Sequence, residues 1–328
     1  MIILVIVLAV LIGIYLIQNL SSDKMTVSES LLDIYADLNS SNVTSIKVYK
    51  QLFPDSGLVF NKTDGQWVLS SYYSAPAKES EIDKLFTDIK NIKGEIRSAN
   101  QELFTDYDIT DDQALHLEFL GSDGSEIAHV LFGKGVPQAS RSSFIRNANS
   151  DTVYMANENF ISRFAMWNAE PSKRITPKRW VELSLAEFDR EAAKSIEVEK
   201  GKSTYLFEKE EVIVPGDSLE TTKSVWKQTK PAQNPVEEKK ITDMLGRLAN
   251  FRATEIVAGE PSPEHKLGKT GYSVGVTLED GTNYRFIFGA ETDTTSGSYY
   301  VQVEGKPFVY KMAKFVYESI FVNPFKKE

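Results

Sequence analysis

Three histidines, His116, His129 and His265, are the first residues whose chemistry must be placed. Imidazole titrates near neutrality and binds metal, so two rings on one face would make a proton relay or a metal pair. With a hairpin centred on Asp123, Leu117 faces His129 and His116 points to the opposite sheet face, because side chains alternate along a strand. The pattern therefore predicts structural histidines and no metal pair. The acidic run Asp106, Asp108, Asp111, Asp112 has the look of a calcium loop. An EF-hand loop starting at Asp106 needs Gly where Asp111 stands and Glu where Leu117 stands, so a solvated loop before a strand is expected. The glycine-rich pieces GKGVPQAS and GSDGS fit neither a phosphate loop nor a nucleophile elbow. No spacing of serines and carboxylates makes a triad or a paired-carboxylate site. The tyrosine pairs Tyr72-Tyr73 and Tyr299-Tyr300 could stack sugars, but alternation sends one of each pair to the core. The expectation is of no catalytic residue, no cofactor and no metal ligand.

Composition narrows the classes further. The 328 residues suit two domains, and 41% hydrophobic with 11% aromatic residues is enough for real cores. A net charge of −9 argues against nucleic acid as a partner. With no cysteine, disulfides, thiolate metal sites and lipid-modified cysteines are ruled out. Ile2–Ile17 carries no charged residue, and Gln18, Asn19 and Leu20 extend it to nearly the ~20 residues that cross a bilayer core. No small-x-small cleavage site follows. Residues 1–20 are thus expected to form an uncleaved transmembrane anchor, its short leading tail staying inside and the long remainder exported. Residues 21–42 read as a polar tether with a short helical segment around Glu29–Leu38.

The elements that must position any chemistry are written twice. Trp67 is matched by Trp226 at an offset of 159. Ile82, Leu85, Phe86 and Ile89 are matched at that offset by Ile241, Met244, Leu245 and Leu248, one face of an amphipathic helix. Asp123-Gly124 answers Asp280-Gly281, a strong hairpin signal, and Gly133 answers Gly289. Tyr154 and Phe164 answer Tyr310 and Ile320 at an offset of 156, so the shortenings fall in loops. The expected fold is α+β: two tandem repeats of a mostly antiparallel sheet with covering helices. Repeat 1 covers 43–168 and repeat 2 covers 191–328. Within repeat 1 the strands fall near 45–50, 57–62, 66–70 and 95–99, with a helix over 79–93 and a short closing helix over 158–167.

Residues 169–190 between the repeats read as a basic linker, pinned by Trp180 and Leu183. Its run Lys173, Arg174, Lys178 and Arg179 is the locally basic stretch of an acidic chain and the candidate contact for an acidic partner or anionic lipid headgroups. A solvated linker is the competing reading.

Taken in order, these motifs resemble the bacterial family catalogued as domain of unknown function 4340. The features are the anchor, Trp67, Pro76-Ala77, Tyr107-Asp108-Ile109 (usually Tyr-Gly-Leu), Asp123-Gly124, Phe132-Gly133 and Val153-Tyr154. The second copy has Trp226, Pro231-Ala232, Lys266-Leu267-Gly268, Asp280-Gly281, Phe288-Gly289 and Val309-Tyr310. The resemblance implies an envelope protein, often associated with ABC-type export systems similar to gliding-motility transporters, and it supplies no catalytic residues. The expected role is a non-enzymatic accessory subunit that binds a transporter permease or another envelope protein. The alternative is a periplasmic module that takes a polysaccharide, peptidoglycan or lipid-derived molecule in the cleft between repeats.

Overall fold

A computed structural model describes residues 31–53, 57–137, 139–165, 175–214, 221–292 and 297–325. The expected anchor lies outside these residues. Among the described residues no helix is long and apolar enough to cross a membrane. The chain forms two compact units, one of Met1–Ser71 with Lys78–Pro177 and one of Tyr72–Ala77 with Lys178–Glu328.

In the first unit the strands are β1 (Leu32–Asp33), β2 (Ser45–Tyr49), β3 (Leu58–Thr63) and β4 (Gln66–Leu69). A short β5 (Ala75–Pro76) belongs with the second unit. After helix α1 (Glu79–Lys90) come β6 (Lys93–Ser98), β7 (Leu115–Leu120), β8 (Glu126–Val136), β9 (Ala139–Asn147) and β10 (Val153–Ala156). The sheet runs β1-β6-β10-β9-β8-β7-β2-β3-β4. One face is apolar by alternation: Ile46, Val48, Leu115, Leu117, Phe119, Val130 and Phe132 are all buried. Helix α1 is amphipathic and buries Ile82, Leu85 and Ile89. Phe86 meets Phe119 at 5.4 Å between ring centroids, and Trp67 meets Phe86 at 6.1 Å. On the other face, Leu131 and Phe144 join Phe104, Ile109, Ala114 and Val153 in a smaller core roofed by the loop between β6 and β7.

Three expectations change. Of the expected tether over 21–42, residues 21–30 lie outside the described ones and 31–38 form no helix: Leu32 pairs with Gly94 on the sheet, and Tyr35 and Leu38 are buried. The closing helix is a 3-10 turn, Phe160–Phe164, with all three of its apolar side chains buried. The basic linker ends early, because from Lys178 onward the chain is part of the second unit, with Trp180 and Leu183 buried as the anchors expected of them.

The second unit contains β11 (Ser184–Glu187), β12 (Ala193–Lys200), β13 (Ser203–Val214), β14 (Thr221–Lys230) and β15 (Asn234–Pro235). Helix α2 (Glu238–Ala249) leads to β16 (Asn250–Arg252), β17 (Glu255–Ala258), β18 (Tyr272–Leu278), β19 (Asn283–Glu291), β20 (Ser298–Val303), β21 (Val309–Ala313) and helix α3 (Lys314–Phe321). β11 pairs with β16, and the large sheet runs β15-β14-β13-β12-β18-β19-β20-β21-β17. Ile241, Met244, Leu245 and Leu248 of α2 and Val316, Ile320 and Phe321 of α3 are buried. Mostly antiparallel sheets with a few helices make the fold α+β.

Candidate functional site

The histidines give the first correction. Leu117 pairs with Val130, and Glu118 pairs with His129. The register slips at a bulge where Phe119 faces Ala128 but Leu120 faces Glu126, leaving Ile127 as the extra residue. One extra residue moves every later side chain to the other face. His129 therefore lies on the face of His116, and His116 Nδ1 is 2.9 Å from His129 Nε2. The apolar parity of Val130 and Phe132 carried this information, whereas counting outward from the Asp123-Gly124 turn missed it.

The pair is surrounded by polar groups of β2, β7 and β8. His116 Nε2 lies 2.6 Å from the Asp111 carbonyl, and its ring stacks on Tyr49 at 4.8 Å. The Tyr49 hydroxyl donates to Glu118, whose other oxygen is 3.8 Å from Lys47 Nζ. His129 Nε2 is 3.8 Å from Glu118 Oε1, and His129 Nδ1 is 3.2 Å from Glu126 Oε2. Burial pushes the pKa of His116 down, and the nearby His129 adds to that. A cleft of about 380 Å³ opens beside His129, lined by Tyr35, Asp37, Glu126, Asn147 and Asn149 among others.

The acidic run is a structural loop. Asp111 accepts from Arg146 Nη2 at 2.8 Å, and Asp112 accepts from Thr110 at 2.6 Å. Arg146 is buried and also donates to the carbonyls of Ile109, Ala148 and Ser150. Buried Lys50 donates to the Gln113 carbonyl, and burial lowers its pKa. Among the described residues no group of three or more His, Asp or Glu is arranged as a ready metal site. In the piece GSDGS, Asp123 accepts from the amide and hydroxyl of Ser125, which is turn chemistry. His265 caps a turn, its Nδ1 accepting from the Ser262 amide at 2.9 Å.

Of the basic run, Lys173 and Arg174 lie outside the described residues. Lys178 pairs with Glu255 at 3.2 Å, and Arg179 is exposed. Tyr72 and Tyr73 spend their hydroxyls on the Ile256 and Val257 carbonyls of the second unit. Tyr299 stacks flat on Tyr317 at 4.0 Å.

The motif loop is built alike in both units. Asp108 and Lys266 are both left-handed, with φ 53° and 51°. The carbonyl just before each of them fills the space beside Gly133 and Gly289 respectively. His265-Lys266-Leu267 is thus the true counterpart of Tyr107-Asp108-Ile109, one residue earlier than expected.

The profile of one family, domain of unknown function (DUF4340), matches residues 67–269 and again 226–325. The chain belongs to that family. No curated protein and no solved structure matches it.

Both DUF4340 matches begin at a motif tryptophan, Trp67 or Trp226. The polar face also has its counterpart in the second unit. Val198 pairs with Val274 and Val274 with Phe286, as Val48 does with Leu117 and Leu117 with Val130. Tyr49, His116 and His129 therefore stand where Glu199, Ser273 and Arg285 stand. There Ser273 donates to Glu199 at 2.6 Å, and Arg285 reaches Glu199 at 3.0 Å and Glu197 at 3.6 Å. The Ser273 hydroxyl first, and Arg285 after it, hold the Glu199 carboxyl below its usual range. Sequence reading missed this network, since its members lie 74 and 86 residues apart.

Proposed function

We propose that this DUF4340 chain is a non-enzymatic accessory protein of the bacterial inner membrane. Residues 2–20 would anchor it as a single pass. Its two units, tandem copies of one α+β module, would stand outside the cytoplasm and bind an ABC-type permease or another envelope protein. The observation that carries this reading is the paired polar face. In both units register-equivalent side chains bridge neighbouring strands, and the groups singled out for chemistry are satisfied by backbone carbonyls and each other. Fully satisfied networks rigidify the face they lie on, which suits a docking surface. The matching succession of strands in the two large sheets supports duplication, which doubles the surface offered to a partner. Crosslinking in native membranes, followed by mass spectrometry on a C-terminally tagged chain, tests the proposal. Recovery of a permease with its ATPase is expected. Turnover of a substrate by the purified full chain alone would overturn it.

A second reading is a module for a glycan or lipid-derived ligand. A cleft of about 580 Å³ within the second unit favours it, lined by Trp226, Gln228, Gln233, Asn234, Lys227 and Glu238 among others. A half-buried indole with amide side chains around it suits a sugar ring. Co-purification of a glycan that Trp226→Ala abolishes would move this reading to first place.

A further inference from the structure

We infer that His116 and His129 act as an acid-sensitive latch, holding a single bridging proton at neutral pH and releasing the loop around Asp111 when His116 takes up another. The argument is one of donors and acceptors. The Asp111 carbonyl can only accept, so His116 Nε2 carries a proton and His116 Nδ1 is left as an acceptor. His129 Nε2, 2.9 Å away, must then donate to it. His129 Nδ1 faces the Glu126 carboxylate at 3.2 Å, and an ionised carboxylate again only accepts. His129 therefore donates from both nitrogens. It does so between two carboxylates, Glu118 on β7 and Glu126 on β8.

A further proton has one place to go on this pair, His116 Nδ1, and there it would meet the N–H of His129 head on. The resulting cation would be buried, with 3% of its surface exposed, and would face the His129 N–H at 2.9 Å. The groups facing the pair cannot absorb it. On β2, Lys47 is engaged with Glu118, and the Tyr49 hydroxyl donates to the same carboxylate. On the loop side, Asp111 offers its carbonyl to His116 while its carboxylate is held by Arg146 of β9. Buried Lys50 at the end of β2 adds positive charge near the loop rather than removing it. Asn149, which donates to Glu126, is neutral. Opening the loop over Thr105–Ala114 is the route that hydrates the new cation, and that loop roofs the small core of Phe104, Ile109 and Leu131.

The second unit lacks the latch, since Ser273 and Arg285 stand at the two histidine positions. Acid sensing is thus a property of the first unit alone, which deepens the accessory reading by making partner contact there dependent on external pH. It stands or falls separately from that reading, because its test needs no partner.

The chain has three histidines, so ¹⁵N-histidine labelling of the full chain in detergent micelles gives a readable spectrum. At pH 7 His116 should show one protonated and one bare nitrogen, and His129 two protonated nitrogens. His265, whose Nδ1 accepts from Ser262, is the internal one-proton control. Below pH 6.5, amide exchange over Thr105–Ala114, corrected for intrinsic rates, should quicken by up to about tenfold per pH unit. His116→Gln should flatten that profile. If that variant does not fold, the wild-type nitrogen shifts decide the matter alone. A bare nitrogen on His129 at pH 7, loop exchange indifferent to pH, or stoichiometric uptake of Zn²⁺ by the pair would each overturn the inference.

Discussion

The carbonyl oxygen of Tyr107 occupies the space that a Cβ on Gly133 would need, and the His265 carbonyl does the same to Gly289. The obstacle is backbone in both cases, so it cannot swing aside as a flexible side chain would. Gly133→Ala and Gly289→Ala should each destabilise their own unit by about 1–3 kcal/mol, the usual cost of overpacking. Hydrogen exchange resolved along the chain is the suitable measurement, because two units need not unfold as one. Protection should fall in 105–136 for the first variant and in 262–291 for the second. Equal loss in both units would refute the local account.

Gly246 supplies the opposite case. It lies inside α2, and nothing stands within 4 Å of where its Cβ would be. Gly246→Ala should stabilise the second unit by about 0.5–1 kcal/mol, since glycine is the costlier residue in a helix interior. A lower melting temperature for that unit would count against the helix as described.

Lys266 is held at φ 51° with a long side chain that gains nothing from the left-handed region. Lys266→Gly should stabilise the second unit by up to about 1 kcal/mol, and Lys266→Val should cost more than that. Asp108, at φ 53°, should gain less from the same change, because aspartate tolerates this backbone better. Glycine at this place in the usual Tyr-Gly-Leu motif has the same cause. Thermal melts of the three variants, Lys266→Gly, Lys266→Val and Asp108→Gly, ranked, test the argument.

What the sequence made legible follows from which signals are local. Alternation at Leu115, Leu117 and Phe119, the α1 and α2 faces and the two Asp-Gly turns lie within a few residues, and all appear where expected. Register is different. The bulge at Ile127 lies four residues from the turn centre and reverses every face beyond it, so a site read from the turn outward loses His129. The alignment of the second motif loop failed for a related reason: Gly268 is left-handed too, but the carbonyl that packs against Gly289 is the one just before Lys266. The Glu199–Ser273–Arg285 network joins three strands and has no local signature at all.

Arg146 joins the loop to the sheet. It is 5% exposed, reaches four carbonyls besides the Asp111 carboxylate and lies over the Phe104 ring at 4.6 Å. Arg146→Met should cost the first unit about 2–4 kcal/mol, because buried acceptors lose their donor. Arg146→Lys should recover little, since a single ammonium cannot fork to carbonyls on two sides. Urea unfolding followed by exchange of 109–114 gives the comparison, and a lysine variant as stable as wild type would show that the fork is unimportant.

The two polar faces should fail at different pH. His116 is held down from 6.5 by burial first, so the native state favours its neutral form. Its contribution is complete above pH 6.5 and is lost as pH falls below that value, where the unfolded chain binds a proton that the folded one refuses. Glu199 is held down from 4.5 by the Ser273 hydroxyl first and then by Arg285. Its contribution is complete above pH 4.5 and is lost only as pH falls below it. That contribution is small, because Glu199 is more than a third exposed and its ion pair is screened by water. On acidification the first unit should therefore begin to loosen as pH falls below 6.5, while the second stays closed until pH falls below 4.5. Ser273→Ala should weaken the acid dependence of the second unit and leave the first untouched. Exchange measured unit by unit across pH 7 to 4 decides it: simultaneous loosening would mean that the histidine pair does not govern the first unit.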